Sequence, residues 1–261
     1  MPRPVLEVVA ESDEWIVVCK PPFMEAHPSK PGGRPTLWDG LRELLAFECV
    51  NGGQVSIITR LDRETSGLTL VAKTRGAART FCRQMEAHRV HKEYLALVWG
   101  WPERAEWTVD APLLRQGERR ASPIYLKQAV HEDGFASQTR FRVERKFIRA
   151  TPAGERFALV RAFPKTGRMH QIRVHLAHSG HAVVGDKIYG PDERCYLEFI
   201  DTGWTPALAA RLLLPRHALH ASVLRLDDRG LAWESALPED LAAFVDFEKC
   251  EAASDDGSGL R

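Results

Sequence analysis

The stretch Ile57-Ile58-Thr59-Arg60-Leu61-Asp62-Arg63-Glu64-Thr65-Ser66-Gly67-Leu68-Thr69-Leu70-Val71 sets a polar knot between two apolar segments. An apolar strand on each side anchors the short segment between them, so a carboxylate there is held with little freedom to wander. Asp62 is that carboxylate. Thr65 and Ser66 offer hydroxyls for local hydrogen bonds, while Gly67 supplies a left-handed turn or lets a substrate backbone come close. The same string also fits an ordinary charged turn between strands.

Around this knot the chain alternates strand and helix signals. Residues 5–9 and 14–19 read as strands, and Pro21-Pro22 stops the second. A loop containing Pro28, Pro31, Gly32, Gly33 and Pro35 leads to Thr36-Leu37-Trp38-Asp39, a capping box that starts a helix with Leu37, Leu41, Leu44 and Leu45 on one face. After a strand over 68–73, Thr74 caps a helix from Arg75 to about His88. Its spacing turns Ala78, Phe81, Cys82 and Met85 inward and leaves Arg79 and Arg83 outside, where they can meet backbone phosphates. Residues 93–99 alternate as a strand with Tyr94, Ala96 and Val98 on one face. Strands over 139–146 and 155–162, a helix over 171–179, a return to a strand and a Gly-bounded turn over 183–190, a late strand over 219–226 and a short helix over 238–247 complete the pattern. Residues 117–122, with Arg119 and Arg120, read as a mobile arm.

Of the 261 residues, 44% are hydrophobic and 27% charged, the composition of a folded enzyme or binding protein. No run of 18 apolar residues and no basic-then-apolar leader is present, which leaves the cytoplasm as the default and excludes a membrane partner. Cysteines 19, 49, 82, 195 and 250 form no CxxC pair, and His170, His175, His178 and His181 lack metal-ligand spacing, so no metal or disulfide framework is expected. Cys19 and Cys82 read as small buried hydrophobes.

Net charge is only +1, but it is unevenly spread: Arg60 to Lys92 holds eight basic and three acidic residues, and Arg115 to Arg149 nine and four. Residues 226–257 reverse the balance with ten acidic and two basic. Such segregation gives a nearly neutral protein a local field for phosphates.

The string Arg60-Leu61-Asp62-Arg63-Glu64-Thr65-Ser66-Gly67 resembles the signature of the RluA-type pseudouridine synthases. Two further segments resemble that family in the expected order: Lys92-Glu93-Tyr94-Leu95-Ala96, and Gly167-Arg168-Met169-His170-Gln171-Ile172-Arg173-Val174-His175-Leu176 running on to Gly185-Asp186-Lys187-Ile188-Tyr189-Gly190. With Lys20-Pro21-Pro22 and Leu219-His220-Ala221, the likeness covers roughly residues 6–226.

The resemblance implies an α+β fold with a mixed, mainly antiparallel central sheet, flanking helices and a central RNA-binding cleft, working without cofactor or metal. It implies a catalytic domain over residues 1–250, in two closely joined subdomains, followed by a flexible acidic tail over 251–261 and accompanied by no separate S4-like domain. By motif position Asp62 is the catalytic aspartate, acting by attack at C1′ or by removing the C2′ proton. Tyr94 stacks on the uracil, Arg168 pairs with the aspartate, and Arg60 enters the space left by a flipped uridine. Arg79, Arg83, Arg119 and Arg120 are the further candidate RNA contacts. Thr59 stands where the family often has His, and Met169 where it usually has Thr; neither removes a charge. The implied partner is structured RNA, transfer or large-subunit ribosomal, bound by a monomer. A non-catalytic RNA-binding protein and a nucleoside hydrolase are the alternatives.

Overall fold

Strands rich in β-branched and aliphatic residues run through both halves of the computed structural model, which describes residues 6–28 and 33–246. In chain order they are β1 (Glu7–Glu11), β2 (Trp15–Lys20), β3 (Ser56–Ile57), β4 (Ser66–Ala72), β5 (Val90–Trp99), β6 (Glu106–Asp110), β7 (Leu113–Arg115), β8 (Gln128–Val130), β9 (Gln138–Thr151), β10 (Gly154–Pro164), β11 (Leu219–Leu226) and β12 (Leu231–Glu234). The helices are α1 (Leu37–Leu44), α2 (Ala46–Val50), α3 (Arg75–Glu86), α4 (Gln171–His178), α5 (Arg194–Thr202), α6 (Pro206–Leu212) and α7 (Glu239–Val245).

One sheet runs β1-β2-β4-β11-β5-β10-β9-β6, with β3 added to β4 and β12 to β11; β7 and β8 form a separate pair. All seven residues of β4 are buried. That requires cover on both faces, so buried side chains stand on both sides of the strand, Ser66 and Thr69 among them. Phe81 of α3 packs with Leu68 and Leu70 on one side, and Leu37 and Leu41 of α1 pack with Val71 on the other. A larger core gathers Leu97, Phe141, Phe157, Leu176 and Phe244 around the second half of the sheet.

The sheet is antiparallel at every pairing of described strands except β4 with β11. There Ser66 faces His220 and Gly67 faces Ala221, while Ala221 faces Tyr94 of β5 on its other side. The parallel junction therefore sets the Asp62 segment and Tyr94 at adjoining strands. Gly67 makes it possible: its φ is 115°, and a Cβ on it would lie 2.3 Å from the Ala221 carbonyl oxygen. The backbone that needs this glycine is β11, not a substrate.

Both predicted caps form. Thr36 and Asp39 close a capping box on α1, and Thr74 Oγ1 accepts from Ala77 N at 3.1 Å on α3. The phase of α3 differs from expectation by one residue: Ala77, Phe81 and Gln84 are buried and Cys82 is exposed, because the inward row follows Phe81 rather than the cysteine. Of the strand and Gly-bounded turn expected over 183–190, the turn forms and the strand does not. Val183 makes a single bridge to Val98, and the rest is a turn in which Asp186 Oδ1 accepts from Ile188 N at 2.9 Å and Tyr189 N at 3.0 Å. Pro31, Gly32, Cys250 and the tail over 251–261 lie outside the described residues. Among the described helices none is long and apolar enough to cross a membrane.

Replacing Gly67 with alanine should lower the unfolding free energy by about 3 kcal/mol or more, since overpacking and positive-φ strain add. Urea denaturation measures this; an unchanged midpoint would show that the β4–β11 junction tolerates a side chain.

Candidate active site

The segment between β3 and β4 is tied down residue by residue. Thr59 Oγ1 accepts from Leu70 N at 2.9 Å, Leu61 joins the larger core, and the Arg63 carbonyl accepts from the buried Lys20 Nζ at 3.3 Å. Glu64 takes Lys187 Nζ at 2.8 Å and His217 N at 3.1 Å, and Thr65 Oγ1 meets His217 Nε2 at 2.7 Å. Burial opposes ionisation of Glu64, yet its bonds to His217 and Lys187 outweigh this and bring its carboxyl down to about 2. With its neighbours anchored, the loop presents Arg60 and Asp62 to a cavity of about 520 Å³.

Asp62 is held by charge as well as by backbone. Its Oδ2 accepts from Arg173 Nη1 at 3.0 Å, and the same guanidinium donates to Asp186 through Nε at 2.6 Å and Nη2 at 2.9 Å. Arg173 and Asp186 are buried, whereas the Asp62 side chain stays 28% exposed at the cavity wall. Burial alone would raise both carboxyls; the positive charge around them reverses this. For Asp62 the opposing groups are His170, when protonated, and Arg173; for Asp186 the Arg173 pair dominates. Both are therefore carboxylates at neutral pH, and Arg173 stays charged despite its burial.

Tyr94 lines the same cavity from β5 and is 9% exposed. Burial, with a smaller push from the Asp62 charge, moves its phenol well above the ordinary tyrosine range. At neutral pH it is an uncharged ring with a hydroxyl. Lys92, Arg168 and His170 also line the cavity.

The arginine assignment needs correction. Arg173, not Arg168, pairs with Asp62. The helix α4 begins at Gln171, so Arg168 belongs to the exposed loop before it, where its Nε donates to Ala136 O at 3.4 Å and its guanidinium lies 5.4 Å from the Phe135 ring. Arg173 lies within a helix buried on all sides over 171–176. An arginine among Ile172, Val174 and Leu176 needs a buried acid, and the aspartate of Gly185-Asp186-Lys187 was the signal that could have identified the pair. Arg60 is exposed at the cavity as expected. Arg79 and Arg83 are exposed on α3 but do not line the cavity, although Met85 of that helix does. Arg119, paired with Asp133, and Arg120 follow a short 3₁₀ turn and also lie off the cavity. His175 satisfies core hydrogen bonds, to Thr139 Oγ1 at 2.9 Å and Ala111 O at 3.0 Å.

Arg173→Gln should raise the Asp62 carboxyl pKa, because loss of a cation favours the protonated acid, and should cost about 3–5 kcal/mol by stranding Asp186. Ionised Asp62 would then disappear at a higher pH than in the wild type. Arg168→Gln should do neither. Carboxyl ¹³C NMR titration with urea unfolding checks the pair; an Arg168 effect equal to that of Arg173 would contradict the geometry.

The family described as RNA pseudouridylate synthase matches residues 14–178. The ribosomal large subunit pseudouridine synthase D of Nitrosomonas europaea is 36% identical over 246 residues, covering 92% of this chain and 64% of that protein's length. The dual-specificity RNA pseudouridine synthase RluA of Vibrio vulnificus is 33% identical over 187 residues, covering 71% of this chain and 70% of the relative. Among solved structures, human RNA pseudouridylate synthase domain containing 1 superposes with a TM-score of 0.69 at 24% identity over 100% of both chains, a likeness of fold. With the motif loop, the paired arginine and the cleft tyrosine brought to one cavity, the chain belongs to the RNA pseudouridylate synthase family.

Proposed function

We propose that the chain isomerises selected uridines of a structured RNA, transfer or large-subunit ribosomal, to pseudouridine. The observation that carries this reading is the Asp62 carboxylate, ionised by Arg173 and facing a cavity that also contains Tyr94 and Arg60. The reaction breaks the N-glycosidic bond, turns the uracil while it stays bound, and rejoins C5 to C1′. It needs a fixed carboxylate at the sugar and a shielded space for the detached base. Asp62 serves the first need, either by attack at C1′ or by taking the C2′ proton. Tyr94 forms part of the wall of that space. Being neutral, it holds the base by stacking, and it can relay a proton from C5 only by passing its own hydroxyl proton on in the same event.

Arg60 enters the gap left when the target uridine leaves its stack, and Arg79, Arg83, Arg119 and Arg120 contribute phosphate contacts outside the cavity. The working unit in this reading is the monomer. With an RNA substrate, its place is the cytoplasm.

Asp62→Asn should lower pseudouridine formation by at least about 10³-fold while leaving most RNA affinity, because phosphate contacts lie elsewhere. Nucleoside analysis beside an RNA-binding assay checks this. Appreciable turnover by the variant would remove Asp62 from the chemistry, and free uracil as the product would favour a hydrolase.

Arg60→Ala should be tested on two RNAs with the same target sequence, one folded and one opened at the site. Flipping a stacked base costs a few kcal/mol, so the penalty should be about tenfold or more larger on the folded RNA. Equal penalties would assign Arg60 to loop anchoring.

A further inference from the structure

His170 faces Asp62 and has no part in the roles assigned above. Its side chain is only 8% exposed, it lines the cavity, and its backbone is left-handed with φ 58°. The two ring nitrogens have different surroundings. Nδ1 lies 2.8 Å from the Tyr189 hydroxyl, and that hydroxyl oxygen accepts from Gln128 N at 2.8 Å. Nε2 is 3.9 Å from Asp62 Oδ2, beyond hydrogen-bond distance, and makes no hydrogen bond to the described residues.

These contacts order the protons. A backbone N–H can only donate, so Gln128 occupies one lone pair of the Tyr189 oxygen and leaves the hydroxyl proton to be given away. If Nδ1 kept a proton, the buried Tyr189 O–H would face no acceptor, and the Nε2 lone pair would point toward a carboxylate. Each arrangement is unfavourable. With Tyr189 donating to Nδ1 both conflicts vanish, and the ring carries its proton on Nε2. Burial and the charge of Arg173 outweigh the attraction of Asp62 and bring the imidazole down to about 4, so the ring is neutral at neutral pH.

We infer that His170 Nε2–H donates a hydrogen bond to the uracil O2 as the C1′–N1 bond breaks, with Tyr189 as the positioning residue that fixes the tautomer. This rests on the isomerase reading. In that step the C1′–N1 electron pair leaves with the base, and the negative charge spreads over N1, O2 and O4. O2 is carried by the carbon bonded to N1, beside the bond that breaks, and Asp62 acts on the sugar at the same place. No proton is transferred. The hydrogen bond strengthens as charge builds on O2, so it favours the transition state over the bound substrate.

His170→Asn separates this role from a structural one. Asparagine tolerates the left-handed backbone and can still accept from Tyr189, but it is too short to carry a donor to the Nε2 position. His170→Gln extends a donor to that region again. The experiment uses the full chain and two synthetic RNAs, with uridine or 5-fluorouridine at the target; fluorine stabilises the departing base and reduces its need for the donor. Loss of the target nucleoside is followed in single turnovers. His170→Asn should slow the uridine reaction by about 10²–10³-fold at unchanged RNA affinity, as removal of one such donor does. The penalty should shrink about tenfold with 5-fluorouridine, and His170→Gln should recover part of the loss. Tyr189→Phe should show the same pattern in weaker form. Equal penalties on both RNAs would overturn the donor role. Independently, ¹⁵N NMR of the free wild type at pH 7 should show the Nε2–H tautomer; an Nδ1–H ring or an imidazolium would overturn the relay. A wild type that makes no pseudouridine would overturn the proposed function and the substrate half of this inference, while the tautomer would still decide the relay.

Discussion

One guanidinium between two carboxylates holds this site together. Arg173 gives two donors to Asp186 and one to Asp62, and the three groups form a line from the buried turn at 185–190 to the cavity wall. Removing Arg173 and Asp186 from water is costly, and the pair repays that cost because its hydrogen-bonding groups are used. Asp186 also accepts from Ile188 N and Tyr189 N. The same charge acts on its neighbours. It keeps Asp62 ionised where burial would neutralise it, and it works with burial to hold His170 and His217 below the usual histidine range. A carboxylate kept charged beside imidazoles kept neutral is an arrangement in which the nucleophile or base and the hydrogen-bond donor stay distinct at one pH.

The fold supplies the distances that this line requires. Strands β4, β11 and β5 lie side by side, and Gly67, Ala221 and Tyr94 stand opposite one another across them. The loop before β4 and the ring on β5 are therefore fixed by the same short parallel junction, which tolerates no side chain at Gly67. The helix α4 brings Arg173 Nη1 within 3.0 Å of Asp62 Oδ2. Pinning through Thr59, Arg63, Glu64 and Thr65 leaves the aspartate little room to move, which is the condition for a carboxylate to act at a chosen sugar carbon.

Asp62, Tyr94 and Arg60, singled out by the resemblance of their short motifs, line one cavity, whereas local pattern alone also fitted an ordinary charged turn and a half-buried core tyrosine. Both caps, at Thr36 and Thr74, were legible because capping is a contact over three residues. Arg168 was misassigned because Gly167 to Arg173 contains two arginines, and only the start of α4 at Gln171 decides which one turns inward. Of the strand and Gly-bounded turn expected over 183–190 the turn forms and the strand shrinks to one bridge, because Asp186 draws the following N–H groups onto its carboxylate. Cys82 was misplaced by a one-residue error of helical phase. The use of Gly67 could not be read locally, because the backbone it admits lies more than 150 residues away in the chain. Charge and helical phase mark Arg79 and Arg83, and charge in a loop marks Arg119 and Arg120, but neither signal says which surface faces the cavity.

The reaction proposed for the Asp62-centred cavity is pseudouridine formation in RNA. Base-resolution pseudouridine mapping tests it most directly, in cells with the protein, without it, and with the Asp62→Asn form restored. The account predicts that one site or a small set of sites in transfer or large-subunit ribosomal RNA loses its pseudouridine on removal, and that only the wild type returns it. An identical map in all three would contradict it.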